Sequence, residues 1–492
     1  MRGQVLNALQ LPEAPDGLLN ELAEQLDAGW RHLAGRVGDG ADQVRIDEAG
    51  RLHTDKIAAV PDPSSLIDLR RRCEAMLPQV DVGELILEVM SWQRGFVEAF
   101  TAVSGGQTRL GDLHVTIAAA LTAHALNVGY TPVISSAAAL TRARISHVDQ
   151  NYLRAETYAA ANRPLVEAQA DIGLAQDWGG GLVAAVDGIR FVVPVRSIDA
   201  RANPKYLGAT WLNLLNDQAV GLAGRVVSGT PRDSLHVIDL IYSQDGGRRP
   251  EVIISDTGSY SDIVFGLLRL LGFDYRPQLA DLPDAKLWRI NPRADYAPLN
   301  TTARGRIDPE RIRRHWSDIL RLTGSIHTGA VSAYDAMRML QHGGQPTQLG
   351  EALAHFGRIF KTLHVLAYVD AEPYRREIKG MRNLQEGRHD LARHLFHGRR
   401  GELHRAYHDG MEDQLGALGL VLNCITLWNT IYLDTALVQL RATGYPVLAE
   451  DIVRLSPYMR RHINVHGHYS FHLPDLAGAR RTLRNPDAPD ED

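Results

Sequence analysis

The chain is predicted to fold as an α+β protein, a mixed sheet with flanking helices set between two largely helical stretches. Three observations carry this expectation. From Ser64 to Ala170 apolar residues recur at helical spacing. At Trp178-Gly-Gly-Gly181 the character changes to short β-rich runs punctuated by Gly, Asp and Pro. From about residue 305 to 442 helical periodicity returns almost without interruption.

In chain order, residues 1 to about 60 are polar, with a helix-like segment over Leu18–Leu33 and a Gly/Asp-rich patch over Gly35–Gly50, and are expected to form a weakly packed lead-in. Helices follow over Ile67–Leu77, Val82–Phe100, Leu113–Val128 and Ser146–Ala170, and the Arg70-Arg71-Arg72 run reads as a solvated helix face. Strands are expected at Leu182–Val186, Ile189–Val195, Trp211–Leu215 and Ala219–Val227. A helix over Asp233–Tyr242 leads to a strand at Val252–Ser255, a helix over Asp262–Leu271 and a short run at Tyr275–Leu279. Helical patterns then cover Asp308–Leu322, Ala330–Leu340, Leu349–Val369, Met381–His397, Gly401–His408 and Met411–Ala442. The piece Val447–Leu473 is short and His-rich, and the tail Asn485–Asp492 is expected to be disordered.

At 492 residues the chain is long enough for two to four domains and a sizeable core, and its 45% hydrophobic and 23% charged content is that of an ordinary globular protein. A formal net charge of −5 gives no global nucleic-acid signature. The charge is uneven, however: residues 301–410 hold 18 Lys and Arg against 12 Asp and Glu, a local surplus of six positive charges. A basic helical half beside an acidic site suits DNA contact. Only Cys73 and Cys424 are present, which excludes a disulfide framework and a Cys-based zinc module and fits a reducing cytoplasm. No charged segment followed by an apolar one opens the chain, so no signal peptide is read. The apolar stretch Leu415–Leu433 carries Asn423 and Asn429 and runs into Asp434, which predicts a buried core helix and no membrane association.

Two aspartates stand out. Asp187 closes the run Leu182-Val-Ala-Ala-Val with Gly188 beyond it, and Asp256 closes Glu251-Val-Ile-Ile-Ser with Thr257-Gly258 beyond it. A carboxylate at a strand end with a turn after it sits on a rigid sheet edge; two of them with a third acid meet the needs of a two-metal phosphodiester site. A lone Asp in such a place more commonly caps a turn or helix. For the third acid, Glu386 and Glu402 are both candidates, and periodicity does not choose between them.

The stretches Trp178-Gly-Gly-Gly…Val186-Asp187-Gly-Ile-Arg190-Phe191, Ser255-Asp256-Thr-Gly-Ser-Tyr260-Ser-Asp262 and Leu271-Gly272-Phe273-Asp-Tyr-Arg-Pro277 resemble those of the Tn-three-type replicative transposases. So do Arg382-Asn383-Leu-Gln-Glu386-Gly-Arg-His389-Asp-Leu-Ala-Arg393, Leu427-Trp428-Asn429-Thr430-Ile-Tyr432-Leu433, Leu455-Ser-Pro457 and His462-Ile-Asn464-Val-His-Gly467-His-Tyr469. They occur in the family's order over about residues 65 to 475, with one departure: Ser259 stands between Gly258 and Tyr260, where the family has a Gly-Tyr pair.

The resemblance implies an RNase H-like core with an Asp-Asp-Glu triad, interrupted by an all-helical insertion and preceded by a helical domain. The implied division is a lead-in over 1–63, a helical scaffold over 64–175, the first part of the core over 176–290, the insertion over 291–380, the second part of the core over 381–445 and a C-terminal segment over 446–492. Residue by residue it assigns the triad to Asp187, Asp256 and Glu386, with Glu402 as the alternative third acid. Asp187 would bridge two Mg²⁺ ions, Mn²⁺ being able to substitute, and Asp256 and Glu386 would hold one each. Arg190, Arg388 and Arg393 are the expected DNA contacts, Arg393 lying two helical turns past Glu386 and so on its face.

The implied activity is 3′-end cleavage at transposon inverted repeats followed by strand transfer into target DNA, in a homodimer acting in the bacterial cytoplasm at the nucleoid. Family members extend further, in a preceding half that binds the inverted repeats. The chain is therefore expected to be a C-terminal, catalytic half that works with a separate N-terminal half. A competing reading makes it a non-catalytic DNA-binding or regulatory piece; the three acids favour the catalytic one. The histidine groups His394, His397, His404, His408 and His462, His466, His468 lack a completing Cys and any His-Glu-x-x-His, so zinc is not expected. No phosphate-binding Gly-rich Lys-Ser/Thr loop is present, so ATP is not expected either. Trp428 and Tyr432, four apart on an apolar helix, read as core.

Overall fold

Val183–Val192 forms one ten-residue strand, where two shorter strands broken by a Gly turn were expected. Gly188 continues the extended chain because both flanking segments pair without interruption with the antiparallel strand Leu207–Asn216, Asp187 lying opposite Asn213. This is a computed structural model, describing residues 2–487 apart from 39–43, 106–109, 135–139, 194–200, 203–206, 229–235, 257–260, 343–344, 399–400, 404–413, 468 and 474–479. Its elements are mixed α and β, with many helices and both parallel and antiparallel strand pairs. By contact the chain divides into two units. The first comprises Met1–Ala59, Arg232–Tyr242 and Pro250–Arg382; the second comprises Val60–Pro231, Ser243–Arg249 and Asn383–Asp492.

In the second unit Leu207–Asn216 is the central strand, with Val183–Val192 on one side and Gly221–Ser228 paired antiparallel on the other. The turn joining the last two is built by Asn216, whose Oδ1 accepts from the backbone N–H of Gln218 at 3.2 Å and of Val220 at 3.1 Å. The helices Ala155–Ala170 and Leu415–Ala442 pack on the strand Gly221–Ser228, and Ser64–Met76, Val82–Trp92 and Leu113–Ala125 pack in turn on Leu415–Ala442.

The last of these is apolar on every side, and 83% of its most apolar window is buried inside the fold. Each fully buried Leu or Ile there contributes about 1.5–3 kcal/mol. Its buried polar groups are satisfied: Thr426 and Thr430 bond back one turn at 2.8 and 2.7 Å, and Asn429 Nδ2 donates to the Pro457 and Met459 carbonyls at 2.6 and 2.8 Å. Trp428 and Tyr432 are core, as expected, and both donate to the fully buried Glu88, whose charge Arg481 Nε meets at 3.0 Å.

The first unit is led by the helices Asp16–Gly38, Pro309–His327 and Gln348–Asp370. The lead-in is more firmly packed than its polarity suggests: Leu19, Leu22, Leu26, Trp30 and Leu33 form a buried stripe, and Trp30 Nε1 donates to the Trp288 carbonyl at 3.1 Å. Helix starts follow the sequence signals. Asp308 caps Pro309–His327 by accepting from the Glu310 and Arg311 N–H groups at 3.1 and 3.3 Å, and Thr347 caps Gln348–Asp370 at 3.1 Å. The strand Val252–Ser255, with the bounds expected, pairs parallel with Asp274–Tyr275. It is followed by the helix Asp262–Leu270, which crosses Gln348–Asp370 so closely that a Cβ on Gly357 would overlap the Asp262 carbonyl. Arg358 and Lys361 then clamp the Asp262 carboxylate at 3.0 Å each.

Candidate active site

The site is built first from the second unit. Asp187 stands in the middle of its strand, not at its end, with its side chain 20% exposed. One carboxylate oxygen accepts from the Gly188 N–H at 2.8 Å; the other lies 3.9 Å from His389 Nδ1. His389 is buried, and Gln385 Nε2 faces its Nε2 at 3.1 Å. With the amide assigned that way round, the ring proton sits on Nδ1, the nitrogen nearer Asp187. Burial, then the positive charges of Arg393 and Arg388, push the imidazole down to about 3, so it is neutral at physiological pH.

Glu386 and Glu402 meet different fates. Glu386 is exposed on the helix Glu372–Leu395 and precedes His389 by three residues, so the two share a helix face one turn apart. The turn that carries Glu386 is therefore the turn that meets Asp187. Glu402, expected early in a helix, instead bridges Val192 in parallel, and its carbonyl accepts from Asn127 Nδ2 at 2.7 Å. Val192 lies five residues along the strand from Asp187, about 16 Å at ~3.3 Å per residue. That is too far for Glu402 and Asp187 to share one ion.

The three arginines also separate. Arg190 is three residues beyond Asp187, so strand alternation puts it on the opposite face, where a Cβ on Gly208 would come within 2.7 Å of its Nε. Arg388 is only 2% exposed, its guanidinium enclosed, and in this structure it is not placed to meet a DNA phosphate. Arg393 is exposed on the face of Glu386.

Asp256 belongs to the first unit and directly follows its strand, as expected, with its side chain 41% exposed. Thr257–Tyr260, which follow it in its motif, lie outside the described residues. Arg382 Nη1 approaches Asp256 Oδ1 at 3.4 Å and donates to Gln278 Oε1 at 2.6 Å, while the Gln278 N–H bonds the Ser255 carbonyl at 3.0 Å. Ser255 Oγ and the Tyr275 hydroxyl, 2.6 Å apart, join the two strands from within. The sequence reading gave no role to His389 or Arg382, although it quoted both within one motif. The three-residue helical step from Glu386 was the available signal for His389; no spacing in the sequence ties Arg382 to Asp256.

Of the histidine groups, His397 and His466 stack with ring centroids 4.8 Å apart and His394 stands 6.1 Å from His466, while His404, His408 and His468 lie outside the described residues. Among the described residues no three His, Cys, Asp or Glu side chains are grouped closely enough to hold a metal ion. The donors present at Asp187, Asp256 and Glu386 are carboxylate oxygens, the chemistry that suits a hard divalent cation.

The second unit thus contributes carboxylates on a strand and on a helix, the first unit one just past a strand, and comparison with known proteins shows the family. Residues 84–469 match the protein-family model described as Tn3 transposase DDE domain, and the chain belongs to that family. It is 59% identical over 494 residues to the transposase for transposon Tn4556 of Streptomyces fradiae, covering 100% of this chain and 55% of that protein. It is 44% identical over 475 residues to the transposase for transposon gamma-delta of Escherichia coli (strain K12), covering 94% of this chain and 47% of that protein. The transposase for transposon Tn501 of Pseudomonas aeruginosa is 34% identical over 486 residues, 96% of this chain and 48% of that protein. The chain thus spans about half the length of the curated relatives it matches.

Proposed function

We propose that this chain carries the catalytic centre of a DNA transposase, which cleaves the 3′ ends of a transposon at its inverted repeats and joins them to target DNA in replicative transposition. In this reading it is an RNase H-like core interrupted by a helical insertion. Asp187, Asp256 and Glu386 are its metal-binding acids and Mg²⁺, as two ions, its cofactor. The observation that carries the reading is the family match over residues 84–469, a span that contains all three acids. It is supported by the short step from Asp187 to His389, which brings the Glu386 turn to Asp187 while Glu402 stays about 16 Å away along the strand.

When bound, two divalent ions would lower the pKa of an attacking water or 3′-hydroxyl and stabilise the leaving oxygen. The residues of the chain do the rest. Paired from Ala184 to Val192 with the strand Leu207–Asn216, the Asp187 strand holds its carboxylate, and the neutral His389 stands 3.9 Å from it. Arg393, exposed two turns past Glu386, is suited to a phosphate of the scissile strand. Pairing two transposon ends calls for a homodimer in the active complex, and the further length of the relatives is where recognition of the ends would lie.

The test is strand transfer. The chain is incubated with a precleaved transposon-end duplex, a plasmid target and Mg²⁺ or Mn²⁺. The expected outcome is joined product from wild type and Glu402→Ala, and none from Asp187→Ala, Asp256→Ala or Glu386→Ala. Joining by Glu386→Ala but not by Glu402→Ala would move the third acid. Failure of wild type with the remaining length of a relative supplied would reject the catalytic reading.

A further inference from the structure

Arg388 was expected to contact DNA, yet it is among the largest fully buried side chains of the second unit. Among the described residues no carboxylate pairs with it, and its Nε and Nη1 have no hydrogen-bond partner. The guanidinium meets the Tyr458 side chain and, through Nη2, backbone. Nη2 donates to the Gly419 carbonyl at 3.3 Å, and a Cβ on Gly221 would come within 2.5 Å of the same atom. Gly221 is itself pinned: its N–H donates to Asn423 Oδ1 at 3.0 Å, and its carbonyl accepts from Asn423 Nδ2 at 2.8 Å and Asn162 Nδ2 at 2.9 Å. With Asn162, Gly221, Gly419 and Asn423, Arg388 lines a cavity of about 490 Å³ within this unit.

A buried guanidinium is costly, and an apolar side chain of similar volume commonly packs such a site at least as stably. What the arginine adds is a long, directional tie between three elements: its own helix, the strand Gly221–Ser228 and the helix Leu415–Ala442. The turn tied down holds Glu386 two residues before Arg388 and His389 one residue after it, the latter 3.9 Å from Asp187.

We infer that Arg388 is a positioning residue, locking the Glu386–His389 turn against the strand-and-helix wall so that the Glu386 carboxylate is held in place relative to Asp187. This rests on the proposed metal role of Asp187 and Glu386. It replaces the DNA-contact role expected for Arg388.

The test compares wild type, Arg388→Lys, Arg388→Met and Gly221→Ala, with Asp187→Ala as the control for signal from the site. Mn²⁺ affinity is measured by electron paramagnetic resonance on the chain without DNA, and affinity for a fluorescein-labelled duplex is measured across a salt series. Arg388→Met is expected to weaken Mn²⁺ binding about 10–100-fold, as loss of a metal site's supporting groups does, with DNA affinity and salt slope unchanged. Arg388→Lys should recover part of the loss. Gly221→Ala, which crowds Nη2 and leaves the charge in place, should move in the same direction as Arg388→Met. If Arg388→Met does not fold, Arg388→Lys and Gly221→Ala carry the comparison. Unchanged Mn²⁺ affinity in the folded variants overturns the positioning role. So does a fall in DNA affinity with the salt slope reduced by about one, which would make Arg388 a phosphate contact. Absence of Mn²⁺ binding by wild type itself rejects the metal reading, and this inference with it.

Discussion

Asp187 and Asp256 do the same proposed work from unlike settings. Asp187 is mid-strand, in an unbroken pairing with Leu207–Asn216, 20% exposed and faced by a buried neutral imidazole. Asp256 hangs just past a four-residue strand, 41% exposed, with an arginine 3.4 Å away. The first carboxylate is immobilised by its surroundings. The second stands at the end of its strand beside a cation in partial contact with water. A change to the supporting residue should therefore matter far more at Asp187 than at Asp256.

The largest effect should come from the carboxylates themselves: Asp187→Ala and Asp256→Ala are each expected to abolish strand transfer, and equal loss in both would mark them as members of one set. Next, His389→Ala should lower the strand-transfer rate by about 10–100-fold, the usual range for groups that orient a metal ligand, with little change in duplex affinity. An effect below threefold would put His389 outside the site.

The two units share one thermodynamic feature. His364 in the first unit and His462 in the second are both buried, and burial pushes each from the usual 6.5 down to about 4. His364 is neutral between the Tyr374 hydroxyl and the Pro277 carbonyl; His462 bonds Asn429. Both folded values lie below the unfolded one, so the unfolded chain takes up protons first as pH falls. Stability is then full above about 6.5 and is lost as pH falls from 6.5 toward 4. Each group is worth on the order of 1–3 kcal/mol over that window. Melting curves between neutral and acid pH should be less steeply pH-dependent for His364→Gln and His462→Gln than for wild type, and a parallel slope would contradict their buried neutral state.

The smallest effect is expected at Arg382→Ala. An ion pair this exposed is worth about 0–1 kcal/mol, so strand transfer should fall no more than about fivefold and melting should barely move. A loss as large as that of His389→Ala would erase the contrast between the two aspartates.

Much of this molecule was legible before any coordinates. The strand Val252–Ser255 and its trailing aspartate are where the apolar run and the following turn residues put them. The helix Leu415–Ala442 is core, as Asn423, Asn429 and the run into Asp434 implied. At Asp187 local reading failed: Gly188 was taken for a turn, but continuous pairing with Leu207–Asn216 before and after it overrides the weak strand preference of one glycine. At Arg388 the helix period gave spacing without telling which neighbours close over the buried face. At Glu402 the expected helix start is a bridge to Val192, a contact more than two hundred residues apart in sequence.

The sequence by itself determined the helices, the apolar strands and the family, because these rest on periodicity, caps and ordered motifs within short windows. Tertiary structure alone decided that Asp187 is mid-strand, that the Glu386 turn and not Glu402 comes to it, and that Arg388 is walled in. Each of these depends on contacts between segments far apart in the chain, and no local pattern encodes which distant backbone will arrive beside a given side chain.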